Sequence, residues 1–190
     1  MKRIGVLGLQ GAVQEHLNML NKIENVQAFS VKYKKDIEQI DGLIIPGGES
    51  TAIGRLLADF ELTLPLRHRI EKGLPVWGTC AGMIILAKSI TNDSRRHLEV
   101  MDIEVMRNGY GRQLDSFTTK ISLPEISQKE IPLVFIRAPY VVGTAPGVEV
   151  LVRLDGHIVA CRQENMLATS FHPELTADLS FHKYFSSMVS

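Results

Sequence analysis

The sequence predicts an α/β protein: a mostly parallel sheet flanked by helices on both faces, with extra short antiparallel strands in its second half. Three observations carry this. Strand-like and helix-like segments alternate as far as residue 90. The strand-like segments there are apolar throughout rather than alternating, as strands covered on both faces must be. From about residue 98 the pattern becomes a succession of short strand-like runs, one of which carries an Asp-Gly hairpin turn in "RLDGHI".

The elements follow in order. "RIGVLGL" (3–9) reads as a buried strand, and "AVQEHLNMLNKI" as a helix with Val13, Leu17, Leu20 and Ile23 on one face. "VQAFSVKY" is a second strand. "DGLIIPGG" is a third, short and ending in a Pro-Gly-Gly turn, after which Ser50 is placed as the N-cap of the helix "TAIGRLLADF". "LPLRHRIEKG" is a helix stopped at Gly73, "LPVWGTC" a fourth buried strand and "AGMIILAKSI" its helix. The short runs "EVMDIEVM", "SFTTKISL", "PLVFIRAP", "VEVLVRLDGHIVACRQ" and "MLATSFHP" follow, and "ADLSFHKYFSSMV" closes the chain as a helix. The short strands precede the last parallel strand rather than follow a linker, so residues 1–190 are read as a single domain.

Composition narrows the function classes. The 190 residues suffice for a full core. Apolar residues make up 45% and charged residues 22%, a globular profile. Lys plus Arg and Asp plus Glu both number 21, so no basic excess points to nucleic acid or a membrane surface. No apolar run approaches the roughly 20 residues of a membrane span. The opening "MKRIGVLGLQG" is interrupted by Gly5, Gly8 and Gly11 and reads as a strand rather than a leader. The two cysteines, Cys80 and Cys161, make neither a metal pattern nor a disulfide framework. The expectation is a cytoplasmic protein with reduced thiols and neither a metal nor an organic cofactor.

The chemistry starts at "GTCAG" (78–82). A strand that turns sharply into a helix lifts the turn residue to the carboxyl edge of the sheet. The flanking glycines are needed because side chains there would collide. The helix N-terminus beneath Cys80 favours the thiolate, the form that attacks carbonyls. Such a thiol needs a base and a group to orient that base. Of six histidines, His16, His68 and His182 fall on helices among polar neighbours and are expected to be solvated; His97 follows a loop and His157 a hairpin turn. His172 instead ends the apolar run "LATSF", at the sheet edge expected for Cys80, with Glu174 two residues on across Pro173. "IIPGGES" (44–50) adds a Gly-Gly turn whose bare N–H groups suit an oxyanion, Gly48 pairing with Ala81. No Walker pattern follows it.

"PGGES", "GTCAG" and "SFHPE", in this order on this scaffold, resemble the class I (triad) glutamine amidotransferases, whose fold is a flavodoxin-like three-layer arrangement. "IGVLGLQGAVQEH", "RNGYGRQLDSF", "VFIRAP" and "SFHPELT" are similar to the glutaminase subunits of pyridoxal 5'-phosphate synthases, over roughly residues 3–188. The resemblance implies a nucleophile at Cys80, a base at His172 and its orienter at Glu174. It implies a glutamine site at Gly47, Gly48, Glu49, Arg107, Ile136 and Arg137, which fits a substrate with both a carboxylate and an ammonium. It further implies L-glutamine as substrate, a barrel-shaped synthase subunit as partner, and a docking surface that includes Gln10, Gly11 and Gln14. Two positions depart from the family pattern: Tyr140, where histidine usually follows "IRAP", and Gly109, where serine or alanine is more usual. Two other readings stay open on the residues alone: a stand-alone cysteine hydrolase or peptidase of similar fold, and a non-catalytic regulatory module.

Overall fold

The structure, a computed structural model, describes residues 1–91, 93–110 and 116–190. Its elements are β1 (Lys2–Leu7), α1 (Val13–Leu20), β2 (Val26–Val31), α2 (Lys34–Ile37), β3 (Gly42–Ile45), α3 (Ser50–Asp59), α4 (Thr63–Glu71), β4 (Val76–Thr79) and α5 (Ala81–Leu86). Then come β5 (Ala87–Ile90), β6 (Met101–Met106), β7 (Ser116–Ile121), β8 (Ile131–Ile136), β9 (Tyr140–Thr144), β10 (Glu149–Leu154), β11 (His157–Gln163), β12 (Met166–Thr169), a 3-10 turn (Pro173–Leu175) and α6 (Ser180–Met188).

The main sheet runs β2-β1-β3-β4-β12-β11-β9-β6-β5, with β10 added on β11. From β2 to β12 every neighbouring pair is parallel. Beyond β12 the pairings turn antiparallel, except for β5 with β6. β12 is the seam, parallel to β4 on one side and antiparallel to β11 on the other. The antiparallel runs expected in the second half therefore continue the parallel sheet. Among the described residues only β7 and β8 form a separate two-stranded hairpin.

Period-2 side-chain alternation builds two cores from the same strands. Leu43, Ile45 and Val76 face one side of the sheet and pack with Ile53 and Leu57 of α3, Leu66 and Ile70 of α4, and the whole of α5. Ile44, Trp77 and Leu167 face the other side and meet Leu20 of α1, Phe181 and Phe185 of α6, and Leu133 and Phe135 of the hairpin. This gives the three-layer arrangement expected from the sequence. Among the described residues no helix is long and apolar enough to cross a membrane.

Two expectations are corrected and one unassigned segment is placed. The helix expected over 81–90 stops at Leu86, and residues 87–90 become strand β5, because Ala87 turns extended (φ −61°, ψ 140°) and the segment pairs with β6. Residues 140–144, unassigned from sequence, form β9. The N-cap of α3 is Glu49 rather than Ser50: its carboxylate accepts from the Ala52 N–H at 2.9 Å, while Ser50 is already helical and buried.

Candidate active site

β4 ends at Thr79 and α5 begins at Ala81, leaving Cys80 alone on the turn with φ 49° and ψ −104°. A non-glycine residue is rarely held there, and the packing on both sides imposes it. A Cβ at Gly78 would strike the Gly82 backbone, and one at Gly82 would strike the Ile45 carbonyl. The helix thus starts directly against β3, as the glycine spacing predicts. The Cys80 N–H donates to Thr169 O at 2.8 Å, which fastens the turn to β12.

His172 follows the end of that strand. Its N–H donates to Val134 O at 2.8 Å, tying the segment to the β7–β8 hairpin. The 3-10 turn started by Pro173 folds Glu174 back under the ring, and His172 Nδ1 meets Glu174 Oε1 at 2.7 Å. With Nδ1 occupied, Nε2 is left free on a ring that lines the same cleft as Cys80. Burial pulls the His172 pKa down. The hydrogen bonds and negative charges of Cys80 and Glu174 outweigh it and raise the pKa to about 10. An imidazole that keeps its charge beside a thiol is a pairing that would suit a cysteine nucleophile.

The Gly47–Gly48 turn lies against this pair. A Cβ at Gly47 would enter the His172 ring and come within 3.3 Å of Cys80 Cβ. The Gly47 N–H donates to Thr79 Oγ1 at 3.0 Å and its carbonyl accepts from the Ala12 N–H at 2.9 Å. The N–H groups of Gly48 and of Ala81, the first residue of α5, have no such partner among the described residues. Unpaired N–H groups of this kind could serve an oxyanion.

These groups open on a cleft of about 430 Å³ lined by Cys80, His172, Gly47, Gly48, Glu49, Ala81, Arg107, Ile136 and Arg137, with Gln10 and Gly11 at one wall. Glu49 and Arg107 face each other at 3.2 Å, and Asp93 holds the other arm of Arg107 at 3.3 Å. Backbone N–H groups and Arg107 keep the Glu49 carboxyl below its usual range, against the opposing effect of burial. Arg137 sits at φ 43° just past β8, and the Ile136 carbonyl is 4.0 Å from Cys80 Sγ. Every residue that the sequence singled out for the site lines this one cleft, save Glu174 beneath it and Gln14. Gln14 is exposed and hydrogen-bonds Asn18. Part of the segment that follows Arg107, Gly111–Asp115, lies outside the described residues. Cys161 is buried in mid-strand, and burial pushes its thiol up to about 12.

The histidines expected to be solvated divide. His68 is exposed, but His16 and His182 are fully buried. They sit in van der Waals range of Trp77, under the site, and His16 reaches Thr79 and Glu174. A signal was available: His16 lies three residues after Val13 and four before Leu20, within the apolar stripe of α1. The reading of polar neighbours overrode it. Thr79, which carries the Gly47 N–H, left no signal of its own.

The two departures from the family pattern touch each other. A Cβ at Gly109 would overlap the Tyr140 ring, which stacks on His157 with centroids 3.9 Å apart. The larger ring at 140 requires the missing side chain at 109.

The model of the SNO glutamine amidotransferase family matches residues 6–190. The chain belongs to this family. It is 75% identical, over the full length of both chains, to a pyridoxal 5'-phosphate synthase subunit PdxT of Ruminiclostridium cellulolyticum. It is 54% identical to one of Clostridium botulinum over 97% of this chain and 96% of that one. A solved structure described as a glutamine amidotransferase superposes with a TM-score of 0.91 at 41% identity, covering 97% of each chain. A structure of PurLQS from Thermotoga maritima, at 14% identity and a TM-score of 0.71, shares the fold.

Proposed function

We propose that this chain hydrolyses L-glutamine to L-glutamate and ammonia, and that the ammonia serves a separate synthase subunit in pyridoxal 5'-phosphate formation. Its membership of a glutamine amidotransferase family and its identity to PdxT subunits support the activity. The observation that carries the mechanism is the Cys80–His172–Glu174 chain, with the nucleophile on a strained elbow above two N–H donors.

The steps follow from these groups. Glutamine lies in the cleft with its α-carboxylate on Arg107 and Arg137 and its α-ammonium toward Glu49, beside the Ile136 backbone. The Glu49–Arg107 contact shows that the wall already carries both signs of charge. The Cys80 thiolate adds to the side-chain amide carbon, and the oxygen takes the negative charge toward the Gly48 and Ala81 N–H groups. His172 gives its proton to the nitrogen, the C–N bond breaks and ammonia leaves. A glutamyl thioester remains on Cys80. Water, losing a proton to His172, attacks that carbon; glutamate departs and the thiolate is restored. Glu174 holds the ring throughout.

Residues 1–190 act here as one glutaminase unit, and the synthase partner docks on the face formed by Gln10, Gly11 and Gln14, which are exposed beside the cleft. The test is turnover of L-glutamine, a peptide series and simple esters, with and without the synthase subunit. Glutamine alone is expected to be turned over, faster in the complex. Turnover of peptides or esters instead would favour a stand-alone hydrolase, and no turnover with or without the partner would favour a non-catalytic module.

A further inference from the structure

Beneath the site lies a buried polar network that the reaction as written does not use. His16 Nδ1 stands 3.0 Å from His182 Nε2, and His16 Nε2 stands 3.1 Å from Thr79 Oγ1 and 3.4 Å from Glu174 Oε2. Both histidines and Thr79 are fully buried, and Glu174 nearly so. Among the described residues, Glu174 Oε2 and His182 Nδ1 have no hydrogen-bond partner. Fully buried polar side chains of this kind are costly unless they satisfy one another.

The chemistry of the network selects one proton arrangement. Burial, then the nearby His182 and His172, holds the His16 pKa well below its usual value, and burial takes His182 to about 3. Both rings are therefore neutral, each with a single N–H, and across the 3.0 Å contact one must donate. If His16 carried its proton on Nδ1, the bare Nε2 would face the Glu174 carboxylate, and His182 would be left with a buried N–H and no acceptor. If His182 donates from Nε2, His16 carries its proton on Nε2. That N–H then points between Thr79 Oγ1 and the free Glu174 oxygen; a lone pair on His182 goes unmet, and the Thr79 O–H gives up the bare His16 nitrogen as an acceptor. The second arrangement is favoured because it meets the Glu174 carboxylate, a charged group that is costlier to leave unpaired than the Thr79 hydroxyl proton.

Taking Cys80, His172 and Glu174 as the triad proposed above, we propose that His16 is a positioning residue for it: the His16 Nε2–H holds Thr79 and the outer oxygen of Glu174, tying helix α1 to the triad carboxylate and to the Gly47 peptide. Glu174 uses Oε1 for His172, so a contact on Oε2 fixes the rotation of the carboxylate and with it the imidazole. Thr79 Oγ1 accepts from both His16 and the Gly47 N–H, so the same ring steadies the turn beside the oxyanion donors. The loop that leads into α1 grips that turn from the other side: the Ala12 N–H donates to Gly47 O, and Gln10 Oε1 accepts from the Glu49 N–H at 2.8 Å. One helix therefore touches both halves of the machinery.

Two measurements test this. In the unaltered protein, ¹⁵N chemical shifts of His16 are expected to show Nε2 protonated and Nδ1 bare; the reverse tautomer would overturn the proposal whatever any variant does. In glutaminase assays on the complex with the synthase subunit, His16→Phe is expected to lower kcat about 10- to 100-fold with KM little changed, the scale on which removing the partner of an oriented imidazole acts. His16→Gln, which can still reach Thr79 and Glu174 with an N–H, is expected to recover much of that loss. The pH profile of Cys80 alkylation is expected to move in His16→Phe and to return in His16→Gln. A folded His16→Phe protein with the normal kcat and alkylation profile would refute the positioning role. Cys80→Ala separates the two readings: activity that survives it removes the triad, whereas activity lost there but unchanged in His16→Phe removes the positioning role alone.

Discussion

The sheet has two halves that meet at β12, and they divide the work of the cleft. The parallel half supplies the Cys80 elbow at the end of β4 and the Gly47–Gly48 turn after β3. The antiparallel half and its hairpin supply Arg107 after β6, and Ile136 and Arg137 at the end of β8. His172 and Glu174 come from the segment after the seam strand itself. The two cysteines show what the difference means. Both are buried, at 7% and 0% exposure. Cys80 sits where a parallel strand must turn into a helix, so its side chain is lifted to the sheet edge beside an imidazole. Cys161 sits inside β11 with ladder partners on both sides, and its apolar surroundings disfavour the thiolate. Two buried thiols thus meet different surroundings, and the junction makes the difference.

The largest expected effect is on that contrast. Cys80→Ala should lower glutaminase kcat by on the order of 10⁴-fold or more. Cys161→Ala should leave kcat within about 2-fold and cost about 1 kcal/mol of stability, since one buried heavy atom is lost. Steady-state kinetics with a thermal melt on each variant reads both, and an inactive, well-folded Cys161→Ala protein would collapse the distinction.

Next comes the division between chemistry and substrate holding. Glu174→Gln should lower kcat by about 100-fold or more with KM nearly unchanged, because it disturbs the base rather than the substrate. Arg107→Ala and Arg137→Ala should raise KM by about 10-fold with a smaller change in kcat, because they hold charges that do not react. A Glu174→Gln variant altered only in KM would remove the assignment of the two halves.

A third expectation concerns stability in acid. The unfolded chain protonates His182 near its ordinary value of about 6.5, whereas the folded chain resists until about 3. The unfolded state therefore binds more protons across that window, and the folded state loses stability as pH falls through it. Melts at pH 7, 5.5 and 4.5 should show Tm dropping, and His182→Phe should flatten the drop. An equal slope in both proteins would mean that the His182 imidazole is not its source.

The smallest effect lies in the antiparallel half. Gly109→Ser should destabilise by about 1–3 kcal/mol, since its Cβ meets the Tyr140 ring, and Tyr140→His in the same chain should recover part of that loss. Strictly additive melts would show that the two positions do not communicate.

The sequence by itself determined the parallel half and the placing of Cys80 and His172 at one sheet edge. Apolar runs covered on both faces leave few alternatives to strands, glycines at 78 and 82 allow one kind of turn, and a Pro between His172 and Glu174 sets their offset. These are short-range constraints, legible in a few residues. What the tertiary structure decided were relations between distant segments. Residues 87–90 are extended because β6 lies beside them, whatever their helical pattern. His16, His182 and Thr79 form a network only because α1 and α6 cover the same face of β4, and no spacing in the chain records that distance. The absence of a side chain at 109 has meaning only beside the ring at 140. Local steric rules can be read along the chain; the satisfaction of buried polar groups and the fit of one ring against another depend on which surfaces are brought together.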